Sequence, residues 1–258
     1  MALNKRHPAA LFAVLAVALG TTGAAYAAVS TQTAPKVVAK TETQVEQGKQ
    51  LFLEGCSSCH GLAAQGASDG PSLIGVGAAS VDFQVGTGRM PLAAPGVQAM
   101  PKMPTYNEEE TAALAAYIAT LGAGPAIPTE EMLDTTNAEL ALGGELFRTN
   151  CAQCHGASGV GGALSEGRKA PSLMDSSAKH LYEAMVSGPQ AMPVFADSTL
   201  SVEDKQHIIA YVTELQKNES PGGFSLGRQG PVTEGLFIFV FGLGVLIVAA
   251  VWIGAKAK

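Results

Sequence analysis

The chain has 258 residues, of which 47 % are apolar and 15 % charged, so it can bury a core and does not have the composition of a disordered chain. Its net charge of −6 gives no electrostatic basis for a nucleic-acid partner. The four cysteines form two close pairs with none left over, which excludes a disulfide framework.

In chain order, Lys5-Arg6-His7 precede an apolar run from Ala9 to Ala28 that ends in the small-x-small pattern Ala25-Tyr26-Ala27. That layout fits a cleavable secretory signal. The run also has the roughly 20 apolar residues a membrane span needs. Residues 1–29 are therefore predicted to be a signal peptide or a transmembrane anchor, and either sends the residues after it outside the cytoplasm. A polar, Thr-rich tether is expected at 30–41.

A first compact domain is predicted over 42–124. Val45, Gly48 and Phe52 share one helix face, and the glycine lets another helix cross closely. Cys56-Ser-Ser-Cys59-His60 comes next. From there to the last helix the sequence reads as loop. Asn107 and Glu110 make a loose capping box before Leu114, Tyr117, Ile118 and Leu121, which are spaced i, i+3, i+4, i+7 as on an amphipathic helix. Gly122 to Pro128 is a turn-rich linker.

The second domain, over 137–217, repeats the first. Leu140, Gly143 and Phe147 occupy one face before Cys151-Ala-Gln-Cys154-His155, and the two cysteine pairs start 95 residues apart. Pro171-Ser-Leu answers Pro71-Ser-Leu, and Tyr211 answers Tyr117. Ser201 with Asp204 starts a helix carrying Ile208, Tyr211, Val212 and Leu215. After a Gly- and Pro-rich tether at 218–234, Gly235–Gly254 runs without a charge and is predicted to span a membrane. Trp252 suits an interface, and Lys256 and Lys258 mark that end as cytoplasmic.

Each Cys-x-x-Cys-His matches the signature for covalent attachment of a c-type haem. Two thiols three residues apart on a helical turn each add to one vinyl group of a porphyrin, and the next residue aims its imidazole at the iron. Two haems are thus expected, held by Cys56, Cys59, Cys151 and Cys154, with His60 and His155 as iron ligands. A zinc ribbon needs its cysteine pairs much closer together, and a thioredoxin-like pair needs a βαβ context that is absent. A methionine thioether is expected as the sixth ligand, which favours reduced iron. In the second domain the candidate is Met192, with Met174 and Met185 read as core. In the first, Met90, Met100 and Met103 compete, and spacing to the last helix favours Met100 or Met103. His207 is read onto the polar side of the last helix, and His180 onto the surface.

These motifs resemble class I cytochrome c domains in tandem. The whole layout resembles the dihaem cytochrome c subunit of the actinobacterial cytochrome bcc complex, a menaquinol–cytochrome c reductase. The resemblance is carried by the two attachment motifs, Gly-Pro-Ser-Leu-Ile-Gly at 70–75, Val-Asp-Phe-Gln-Val-Gly-Thr-Gly-Arg-Met-Pro at 81–91, Gly-Pro-Gln-Ala-Met-Pro at 188–193 and the C-terminal anchor. It implies a mainly α fold: two class I cytochrome c domains, a C-terminal transmembrane helix and an N-terminal signal or anchor helix. It makes Met90 the sixth ligand of the first haem, and matches Pro71 and Pro171 to the proline whose carbonyl accepts a hydrogen bond from the ligating histidine. It implies a cell-membrane protein with its haem domains on the extracytoplasmic side. Electrons pass from a Rieske iron–sulfur subunit to a terminal haem–copper oxidase, beside a cytochrome b subunit, and quinol is oxidised on the partner subunits. Two other functions share parts of this chemistry: a membrane-tethered dihaem carrier for another dehydrogenase, and a dihaem peroxidase, which needs an open iron position.

Overall fold

The computed structural model describes residues 8–33, 42–94, 96–217, 228 and 231–256. Helix α1 (Pro8–Thr33) forms a unit of its own. The hydroxyls of Thr21 and Thr22, polar interruptions of its apolar run, donate to carbonyls one turn back at 2.9 Å (Val17) and 2.7 Å (Ala18), so they do not break it.

The other unit begins with α2 (Glu42–Gly55), the single turn α3 (Ser57–His60), α4 (Gly77–Gly86) and α5 (Glu108–Ala119). α2 and α5 cross at Gly48, where a Cβ would stand 1.9 Å from the Ala113 carbonyl oxygen. One turn on, Phe52 and Tyr117 pack with ring centroids 5.5 Å apart. α5 starts at a reciprocal capping box, Glu110 N–H to Asn107 Oδ1 and Asn107 N–H to Glu110 Oε2, both 2.9 Å.

The pattern recurs with α6 (Glu130–Leu133), α7 (Leu140–Asn150), the turn α8 (Ala152–His155), the two-residue strands β1 (Gly162–Ala163) and β2 (Lys169–Ala170), α9 (Ala178–Ser187) and α10 (Val202–Lys217). The strands pair antiparallel, Gly162 opposite Ala170. α7 and α10 cross at Gly143, whose missing Cβ would lie 2.0 Å from the His207 carbonyl oxygen, and Phe147 meets Tyr211 at 5.5 Å. Ser201 and Asp204 close the capping box of α10 at 2.9 and 3.1 Å. Each bundle has its own core, one around Phe52, Leu114 and Ile118, the other around Phe147, Ile209 and Val212.

Two features differ from the sequence reading. The segments expected as loop contain α4 and α9. α4 is buried nearly all round, so its apolar residues show no helical stripe, and α9 is short, with Ser177 capping the His180 N–H at 3.2 Å. The linker after α5 is also no free tether. The Pro125 carbonyl accepts from the Ala79 N–H at 3.1 Å, so the chain folds back on the start of α4.

The last helix, α11 (Pro231–Lys256), begins earlier than the predicted span, with proline at its first position, where a missing N–H costs nothing. Its 23-residue segment Glu234–Lys256 is long and apolar enough to cross a membrane. The Lys256 ammonium lies 4.5 Å above the Trp252 ring centroid. Of the expected tethers, 34–41, 218–227 and 229–230 lie outside the described residues, while 30–33 continue α1.

Candidate functional site

Each Cys-x-x-Cys-His is a single helical turn set at the end of a longer helix. α2 and α7 stop at a kink on the first cysteine, Cys56 (φ −125°) and Cys151 (φ −118°). The next turn is closed by His60 N–H to Cys56 O at 3.0 Å and His155 N–H to Cys151 O at 2.9 Å, which puts both thiols and the imidazole on one turn. Gly61 and Gly156 end it at φ +81° and +74°, a backbone region that side chains disfavour. The chain then returns identically in both bundles, with Gly66 N–H to His60 O and Gly161 N–H to His155 O at 2.8 Å.

The return brings a proline carbonyl to each ring. His60 Nδ1 lies 2.7 Å from Pro71 O, and His155 Nδ1 lies 2.9 Å from Pro171 O. A carbonyl only accepts, so Nδ1 carries the proton and Nε2 keeps its lone pair. Burial holds the His155 imidazole below its ordinary pKa, against the opposing pull of the Pro171 carbonyl, and so favours the neutral, ligating form. Burial, reinforced by the second cysteine of each pair, pushes the Cys56 and Cys151 thiols up to about 11. The first cysteine of each pair is therefore not an activated thiolate of the thioredoxin kind.

A cavity of about 710 Å³ opens beside the second turn, lined by Cys151, Cys154, His155, Pro171 and Met192. One of its walls comes from the first bundle. Gln98 to Lys102 line it, held by a reciprocal pair of amide clamps. The Gln98 side chain accepts from Lys169 N–H at 3.0 Å and donates to Lys169 O at 2.7 Å. The Gln190 side chain accepts from Ala99 N–H at 2.9 Å and donates to Ala99 O at 3.1 Å. Gln190 adopts φ +59°, which a non-glycine residue seldom does. No sequence signal marks these glutamines, because a side-chain clamp on backbone follows no periodicity.

Of the methionines, Met192 packs on the core containing Cys151 and Phe147, and Met185 is buried in that core. Met90 packs on the first core, as does Cys56. Met103 is 88 % exposed and Met100 44 %, and Met100 lines the second cavity, not a site in its own bundle. The spacing preference for Met100 or Met103 thus finds no support in their surroundings. His180 is not a surface residue either. It lies half-buried between the bundles, edge-on to Phe83 with centroids 6.0 Å apart. His207 accepts at Nδ1 from the Glu139 N–H at 2.8 Å and so caps the start of α7.

Two thiols on one turn, an imidazole whose protonated Nδ1 is held by a carbonyl so that Nε2 is free, and, in the second bundle, a thioether on the same cavity form a donor set that fits an iron porphyrin. Comparison with known proteins agrees. A cytochrome c family model matches residues 45–122, and a model described as cytochrome c oxidase, cbb3-type, subunit III matches residues 138–212. Three relatives carry the description cytochrome bc1 complex cytochrome c subunit. The one from Corynebacterium efficiens is 43 % identical, over 94 % of this chain and 88 % of its own. The one from Corynebacterium diphtheriae is 42 % identical, over 94 % and 93 %. The one from Mycobacterium leprae is 45 % identical, over 95 % and 87 %.

Proposed function

The chain belongs to the family of cytochrome bc1 complex cytochrome c subunits, and from that premise we propose that it holds two covalent haems c and relays electrons from a Rieske iron–sulfur subunit to a terminal haem–copper oxidase. The observation that carries the reading is the duplicated turn in which each histidine Nδ1 donates to a proline carbonyl, at 2.7 and 2.9 Å. Bound there, each haem supplies an iron centre that exchanges one electron at a time.

The protein's part is attachment, orientation and exclusion of water. Cys56 and Cys59 fix one porphyrin, and Cys151 and Cys154 the other. His60 and His155 ligate through Nε2, with Pro71 and Pro171 holding the rings and raising their basicity. Met90 and Met192 would supply a thioether to each iron, which would leave no iron position for peroxide. We place the first domain at 42–124 and the second at 137–217, both extracytoplasmic, because the C-terminal lysines, Lys256 and Lys258, mark that end as cytoplasmic. α11 holds the relay at the membrane beside the cytochrome b subunit, where menaquinol is oxidised on partner subunits.

Purification in mild detergent tests this reading. The chain is expected to carry two haem adducts by intact mass and to co-purify with a b-type haem protein and a Rieske subunit. A single adduct, or a chain isolated with another dehydrogenase and no b-type haem, would overturn it.

A further inference from the structure

Where the two bundles meet, α4 lies along α9, and three side chains outside the haem-attachment turns converge, one of which, His180, also borders the cavity beside the second turn. Asp82 comes from α4, and His180 and Glu183 come from α9. A ligand atom of each lies within 4.8 Å of the others. Asp82 is 5 % exposed and Glu183 is fully buried. Neither Glu183 carboxyl oxygen receives a hydrogen bond, and the polar group it faces is the Asp82 carboxylate. His180 and Glu183 are three residues apart, on one face of α9. Opposite them, Gly86 stands one turn beyond Asp82 and borders the imidazole. A Cβ there would lie 3.5 Å from His180 Nε2.

We propose that Asp82, His180 and Glu183 form a zinc site that ties the two cytochrome c domains together. One imidazole and two carboxylates are a nitrogen–oxygen donor set that suits zinc, whereas calcium and magnesium take oxygen ligands. Zinc bonds of about 2.0–2.1 Å set tetrahedral ligands about 3.3 Å apart, so modest side-chain rotation closes the cluster on an ion. The charges are suited to it. Burial first, then the neighbouring Asp82 carboxylate and the hydrogen bond that the Glu183 carboxyl makes to it, holds Glu183 up at about 9, despite the lowering effect of Lys179, so the pair shares a proton that a cation would replace. Burial also keeps His180 below its ordinary value and so neutral, with a lone pair to give, although Asp82 pulls the other way. Lys179 Nζ sits 2.6 Å from Asp82 Oδ2, which leaves Oδ1 for the metal. Its side chain is 41 % exposed and can swing to solvent.

The test uses the full-length holoprotein in detergent, stripped with a chelator and dialysed against about 10 µM zinc, with retained metal measured by elemental mass spectrometry. One zinc per chain is expected, undisturbed by excess magnesium and retained by His207→Gln. Glu183→Gln and Asp82→Asn should bind at least about tenfold more weakly with unchanged haem spectra. Lys179→Met should bind more tightly, because it removes a competing cation. His180→Phe, at a less buried position, provides a further ligand deletion should either carboxylate variant lose its haem spectrum. The proposal fails if the wild-type chain retains no zinc, or if a folded ligand variant retains it as the wild type does.

Discussion

At the scale of single residues, the first bundle offers three methionines, and their surroundings separate them. Met103 is 88 % exposed, whereas Met90 packs on the core that Cys56 also touches. Met90→Leu should abolish the weak near-infrared band of a Met-ligated ferric haem in the first domain, and Met103→Leu should leave it intact. The opposite result would return the ligand to the position that spacing favours. The distance from a loop residue to the next helix says nothing about which way its side chain faces, so spacing cannot separate the methionines as their burial does. Lys205 shows the polar side of the same point: it shares the buried face of α10 with Ile208, Ile209 and Val212, and its ammonium is satisfied there by donating to Asp197 Oδ1 at 2.7 Å and to the Leu200 carbonyl at 2.6 Å.

At the scale of elements, the two helix crossings depend on glycines with backbone against them. Gly48→Ala or Gly143→Ala would drive a Cβ into the carbonyl of Ala113 or of His207, which cannot move aside as the end of a flexible side chain does. Each is expected to destabilise its own bundle by about 3 kcal/mol, the upper part of the overpacking range. Thermal melts followed at the haem band would register this as an early transition in one half. Gly235→Ala, with nothing within 4 Å of the added carbon, should melt as the wild type does. These crossings were legible in the sequence because the large apolar residues of α5 and α10 recur at i, i+3, i+4 and i+7, even though alanines bury α5 on nearly every other side as well. α4 was not legible. Its residues from Gly77 to Val85 are buried almost without exception, and Asp82 falls among them, so no polar face remains to set a period. The attachment turns were wholly legible, since their chemistry needs fixed residues at fixed spacing. The clamps of Gln98 and Gln190 left no such trace.

At the scale of the whole molecule, those clamps decide how the relay is built. Gln190→Ala should speed hydrogen exchange at the Ala99 amide, and Gln98→Ala should do the same at Lys169, because each loses its acceptor. Unchanged protection at both amides would mean that the clamp does not hold in solution. Haem-band melts of either variant should also show the second site loosening before the first, since the wall that Gln98 to Lys102 supply belongs to the second cavity. A tandem duplication begins as two self-sufficient halves, each able to survive the loss of the other. Here the later half has given up part of its own enclosure and borrows it from the earlier one. Cut from the first bundle, the second would lose that wall and open its cavity to water.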